Sequence, residues 1–250
     1  MIGTCALCQS ANVELIDSHV LPRWVYRRLH NLGPVGQLIA TGNGKVGYSS
    51  KQDSRHLLCR PCEDRFGDPE QYVSSLVVQP DGTFPGLTRV TSEKQAAPGV
   101  ELARPTGLDV EKLTYFAVSV FWRADVAQSE PVVALGASAE PTRLYLLGGQ
   151  LPPNLFLVVK LLAADEGSFA TRIASAPETH NEGQYHDLLV LGMRFRLITS
   201  ADVSTSRAAA EISLPHSNVV LIDRDRQTAN AIAEETQTST AYGKLAKKGM

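Results

Sequence analysis

Cys59-Arg60-Pro61-Cys62-Glu63-Asp64-Arg65-Phe66 couples a cysteine pair to the start of a helix. A Cys-x-x-Cys pair folds back over its two middle residues and can turn both sulfurs toward one point. Here the pair runs into a segment with acidic residues in its first turn, the composition of a helix N-terminus. Its counterpart is Cys5-Ala6-Leu7-Cys8, and these four are all the cysteines of the chain. Two such knuckles supply four thiolates, enough to close a tetrahedral zinc shell with Zn–S bonds of about 2.3 Å. A closed shell has no open position, so zinc at Cys5, Cys8, Cys59 and Cys62 is expected to be structural, its binding energy serving as folding energy for the module around it. The competing readings are two redox pairs or buried free thiols. A knuckle leading directly into a helix is the second half of a treble clef.

The bulk composition sets the frame for that reading. The chain has 250 residues, 43% hydrophobic and 20% charged, with a formal net charge of -2. Such a composition is that of a soluble globular protein, and the length permits a core that does not need cysteines to rescue it. A near-neutral balance gives no global sign of nucleic-acid binding, so any such contact has to come from a local basic patch. There is no apolar run long enough to span a membrane, and Met1-Ile2-Gly3-Thr4-Cys5 is not a secretory signal. A cytoplasmic location is therefore expected. In that compartment thiols stay reduced and paired cysteines read first as metal ligands.

The asymmetric placement of the cysteines divides the chain. Residues 1–75 are expected to be a zinc module and 76–109, rich in Pro and Gly, a turn-rich connecting segment with short strands at Phe84–Val90. Residues 110–243 are expected to form a mixed α+β domain with a mainly antiparallel sheet, and 244–250 a disordered tail. Within the module, Arg23–His30 reads as a short basic amphipathic helix and 33–50 as a Gly- and Ser-rich loop. In the larger part, Val110–Ala124 has helical spacing, Leu155–Leu162 reads as a strand, and 185–199 as two strands turning near Gly192. Val219–Ile222 is another strand, and Asp225–Glu235 a polar surface helix.

The segment between the knuckles adds a histidine. Asp17-Ser18-His19-Val20-Leu21-Pro22 and Ser54-Arg55-His56-Leu57-Leu58-Cys59-Arg60-Pro61-Cys62-Glu63, with Cys5-x-x-Cys8 ahead of them, resemble the HNH endonucleases of the ββα-metal type over residues 5–70. The resemblance implies that His19 is a general base, that Ser54 stands where an Asn orients that base, and that Glu63 stands where the last ligand of a catalytic Mg²⁺ or Mn²⁺ is found. The sequence departs from the family pattern in three places. Ser18 replaces the usual ligand before the base, Ser54 replaces Asn, and Phe66 replaces a frequent lysine. Asp17 substitutes for Ser18 only if its strand is bulged, because one step along a strand reverses the side chain.

Arg23, Arg27, Arg28 and Arg60, with Trp24 and Tyr26 interleaved, form a local basic surface suited to phosphates; the plainer reading is a solvated helix face with Trp24 packed inward. His56 is read as facing solvent or a neighbour, with a ligand role as the lesser reading, and His180, His186 and His216 are assigned to no site. Two functions follow. One is a metal-dependent HNH-like nuclease acting on nucleic acid, with DNA as the expected partner, in a setting such as phage defence. The other is a non-catalytic zinc treble clef that binds nucleic acid or protein, with the C-terminal part as interaction domain. Neither requires a membrane, and both leave room for a homodimer or a protein partner through the C-terminal part.

Overall fold

The computed structural model describes residues 1–31, 38–42, 45–49, 52–97, 100–128, 132–162, 171–180, 184–199, 213–215, 217–223, 225, 228–232, 234 and 240–242. The segment 244–250 and His216 lie outside them. The architecture is mixed α+β with mainly antiparallel sheets. No helix among the described residues is long and apolar enough to cross a membrane.

A small antiparallel sheet is built from β1 (Ile2–Gly3), β2 (Val13–His19) and β5 (Ser54–Cys59), in the order β1-β2-β5. Its β2–β5 ladder shifts register: Ile16 faces Leu58 but Asp17 faces His56, so Leu57 is an extra residue on β5. The Leu57 carbonyl accepts the Ala6 N–H at 2.9 Å, so the irregularity ties the second cysteine strand to the first knuckle. Helix α1 (Arg23–Asn31) follows β2 and buries Val25 and Leu29. Helix α2 (Arg60–Leu76) starts within the second knuckle, with Pro61 in its first turn, where a missing N–H costs nothing. Its buried side chains Cys62, Phe66, Pro69, Val73 and Leu76 recur every three or four residues, the stripe of a helix packed on one side.

That stripe packs on α3 (Val110–Ala127), the spine of the molecule. The Asp109 carboxylate caps α3 by accepting the Lys112 N–H at 3.0 Å, and Gln128 ends it in a left-handed conformation. Because α3 is covered on several sides, Phe116 through Ala124 are all buried. Phe116 touches Trp24 of α1 on one side and Phe195 of the large sheet on another, at 6.4 and 5.5 Å between rings. A single hydrophobic core thus runs from the cysteines through α3 to the sheet.

The large sheet is centred on β8 (Phe156–Leu161), β11 (Tyr185–Val190) and β12 (Met193–Ile198). In β12 the buried Met193, Phe195 and Leu197 alternate with half-buried Arg194 and Arg196, the period-2 pattern of a strand with one face on the core. The β11–β12 turn uses Leu191 and Gly192, both at positive φ, as a tight hairpin requires. β13 (Val219–Asp223) lies parallel to β8.

Three readings of the sequence change here. The 33–50 segment, expected to be a loop, contains the hairpin β3 (Leu38–Gly42) and β4 (Lys45–Ser49), and this hairpin joins the large sheet through β9 (Ala174–Ser175). The strands expected at Phe84–Val90 are instead a 3-10 turn at Pro85–Arg89, followed by the hairpin β6 (Val90–Ala97) and β7 (Val100–Pro105). The strands were concealed because their own pattern is weak and they are fixed by pairing, Val90 with Pro105 through Ala97 with Val100. In the expected surface helix, Asp225, Thr228 and Ala229 are buried: the Asp225 carboxylate accepts the Thr228 N–H and hydroxyl and pairs with Lys160.

Candidate metal centre and the His19 site

The four sulfurs converge, all within 4.8 Å of one another. Cys8 Sγ and Cys59 Sγ are 3.8 Å apart, which is the edge of about 3.8 Å expected for a tetrahedron with 2.3 Å bonds to its centre. The first knuckle is closed by Cys5 N–H donating to the Ser10 carbonyl and Gln9 N–H to the Cys5 carbonyl, at 3.0 and 2.8 Å. Gln9 and Asn12, both at positive φ, turn the chain back into β2. Across the site, Cys59 N–H donates to Cys5 Sγ at 3.4 Å.

Hydrogen bonds with Ser10 pull the Cys8 thiol down to about 6, while burial pushes Cys59 and Cys62 up. Four thiolates this close repel one another, and a divalent cation among them removes the conflict. The cysteines could therefore hold a metal ion such as zinc. Among the described residues they are the one group of three or more His, Cys, Asp or Glu side chains close enough to do so. The surroundings are rigid: Leu7 is fully buried, and its carbonyl accepts a hydrogen bond from Arg143 of α4 (Ala139–Leu146).

His19 ends β2 and is 7% exposed. Its Nε2 lies 3.0 Å from Gln52 Oε1. An amide oxygen only accepts, so this bond is made by the tautomer with its hydrogen on Nε2, which keeps the lone pair on Nδ1. Arg23 Nε lies 3.3 Å from both Nδ1 and Nε2, so its N–H donates to whichever ring nitrogen carries the lone pair. The Arg23 guanidinium also pairs with Asp17 at 3.6 Å. Asp17 and His19 are two residues apart on β2 and share a face, whereas Ser18 is fully buried with its hydroxyl unpartnered. Ser54 stands opposite His19 in the ladder. The side chain hydrogen-bonded to the imidazole is Gln52, which the sequence reading did not single out.

Glu63 sits in the first turn of α2 with Oε2 buried and without a hydrogen-bond partner. Two turns along the helix, Glu70 accepts from Arg123 Nη2 at 2.8 Å. Burial raises the Glu70 carboxyl, the Arg123 guanidinium opposes that, and the charges of Glu63 and His19 both reach it. Arg123 thus joins Glu70 of α2 to the end of β2 that carries His19, at the junction of β2, α2 and α3. Arg123 lies in the buried run of α3. It is 1% exposed and donates from Nη1 to the His19 carbonyl at 2.8 Å. Only its sequence neighbours, an apolar helix face, signalled that this charge would be internal.

The basic residues separate into two kinds. Arg23, Arg27 and Arg60 are exposed. Arg28 is half-buried and donates to Gln79 Oε1, Ser74 Oγ and the Val78 carbonyl, clamping α1 to the C-terminal end of α2. His56 is exposed, and His180 and His186 belong to the large sheet. An open hollow of about 640 Å³ beside the cysteines is lined by Ser10, Glu14, Arg60 and Arg65. The chain matches no known protein family, no curated protein and no solved structure.

Proposed function

We propose that residues 5–70 form a zinc-held treble clef of the HNH type and that the protein is a metal-dependent endonuclease hydrolysing phosphodiester bonds of nucleic acid. The observation that carries this reading is that two groups acting on the same Glu70 have the chemistry it needs: an imidazole that in its Nε2–H form bonds Gln52 and has Nδ1 available once Arg23 leaves it for a phosphate, and a buried Glu63 oxygen without a hydrogen-bond partner. A buried, unpartnered carboxylate oxygen costs free energy that a cation would return. In this reading His19 Nδ1 takes a proton from the attacking water. Glu63, with phosphate oxygens and water, would hold a Mg²⁺ or Mn²⁺ ion, which stabilises the charge on the phosphorus oxygens and the leaving group. Magnesium commonly keeps several waters and takes only one or two carboxylates, so a short protein ligand set suits it. Arg23, exposed beside the imidazole, would trade Asp17 for a phosphate, with Arg27 and Arg60 extending the basic surface.

A second reading is a non-catalytic zinc module that binds nucleic acid or protein. It is favoured by the convergence of cysteines alone into a ligand set among the described residues, and by the guanidinium, not a carboxylate, beside the His19 ring. A supercoiled-plasmid nicking assay with Mg²⁺ or Mn²⁺ separates the two. Cleavage by the wild type that is lost in His19→Ala and weakened in Glu63→Gln supports the nuclease. Equal cleavage by all three proteins, or by none, leaves the binding module.

A further inference from the structure

We infer that Arg123, with Glu70 as its partner, is the positioning residue of the His19 site, so that this site is completed by a helix outside the zinc module. The inference rests on the nuclease reading for its catalytic consequence, but not for its geometry. Burying a guanidinium is expensive, and a close-packed apolar side chain in its place is often as stable or more so. What an apolar side chain cannot do is use three donors in three directions. Arg123 Nε bonds the Ser119 carbonyl of its own helix at 3.3 Å, Nη1 the His19 carbonyl at 2.8 Å, and Nη2 the Glu70 carboxylate at 2.8 Å. The guanidinium carbon also lies over the Phe66 ring, 4.8 Å from its centre. One rigid fork therefore fixes the end of β2, the middle of α2 and α3 relative to one another.

The consequence falls on the imidazole. His19 is the last residue of β2, and the side chain that sets its tautomer is Gln52, an exposed residue. An exposed amide holds a ring in place only if the backbone carrying that ring stays still. The Arg123–His19 carbonyl bond supplies that constraint from the buried side. The same fork holds the Glu70 carboxylate on the helix that presents Glu63, one face and two turns away.

The test uses full-length protein with Arg123→Gln, Arg123→Lys and Glu70→Gln, each checked for zinc content and thermal unfolding. Arg123→Gln and Glu70→Gln are expected to keep zinc and KM while kcat for plasmid nicking falls by about 10–100-fold, the usual cost of removing a group that supports a site from behind. Arg123→Lys is expected to recover part of that loss, since an ammonium reaches one partner but not both. Unchanged kcat in variants that are merely less heat-stable would overturn the inference. Nitrogen NMR of the His19 ring is the arm that does not depend on activity. The wild type should show the Nε2–H form and Arg123→Gln an averaged pair of tautomers; identical ring signals in both would also overturn it. If the wild type does not cut but the ring signals change, the nuclease reading fails and the positioning role stands. If Arg123→Gln does not fold, Arg123→Lys and Glu70→Gln decide the matter by the same readouts.

Discussion

Acidification should destabilise this protein through His186, well above the range in which most carboxylates titrate. His186 lies on β11 with no solvent exposure. Its Nδ1 is 2.8 Å from Thr179 Oγ1, its Nε2 3.3 Å from Thr199 Oγ1, and the Phe121 ring of α3 packs 6.0 Å away. Burial is the main cause that pushes it from 6.5 down to about 4; Asp187 pulls it up and His180 pushes it further down. The folded pKa is below the unfolded one, so between those values the unfolded chain binds more protons and stability rises with pH. Stability from a neutral His186 is therefore complete above pH 6.5 and is lost as pH falls toward 4. At about 1.4 kcal/mol per unit the whole effect is about 3 kcal/mol, of which about 2 kcal/mol is gone by pH 5. Urea unfolding of the wild type and His186→Gln at pH 7.5 and pH 5 isolates this group, because all others cancel in the comparison. The wild type should lose about 2 kcal/mol more than the variant over that interval. Equal losses, or an imidazole that titrates near 6.5 in the native protein, would refute the reasoning.

Native mass spectrometry should find one zinc per chain; Cys59→Ser should abolish it, and chelator should lower the unfolding temperature of the wild type but not of Cys59→Ser. The basic residues should divide by exposure. Arg27→Ala and Arg60→Ala should each reduce the salt slope of nucleic-acid binding by about 1 without changing stability, whereas Arg28→Ala should cost about 1–3 kcal/mol in denaturant because its guanidinium bonds α2. Phe66→Ala should cost about 3–5 kcal/mol, since Phe66 is 1% exposed and packs from α2 against Tyr115 and Arg123 of α3; a loss below about 1 kcal/mol would show that the α2–α3 contact is loosely packed.

Much of the local structure was legible because short-range rules decide it. Cysteine pairs at two-residue spacing, an acidic first turn after Cys62, helical spacing from Leu113 to Phe121 and alternation from Met193 to Leu197 each depend on a few neighbours, and each is found where the sequence placed it. Strands that gain their hydrogen bonds from distant partners were not legible: β3, β4, β6 and β7 carry weak patterns of their own and are fixed by pairing within the large sheet. The register shift at Ile16/Asp17 could not be foreseen, because Leu57 reaches across to Ala6; its extra residue lies on β5 and not on the strand of Asp17, so the bulge that would let Asp17 stand in for Ser18 is not the one formed.

Ligand type and spacing are written in adjacent residues, so two thiol knuckles and a histidine-bearing strand could be assigned to one module before any packing was known. What stands behind His19 is a matter of packing. Gln52, Glu70 and Arg123 are separated from it by 33 to 104 positions, and a contact across that distance depends on how helices pack, which no local pattern encodes. A buried arginine and a surface arginine are the same letter; the difference between them is the core that closes around one and not the other.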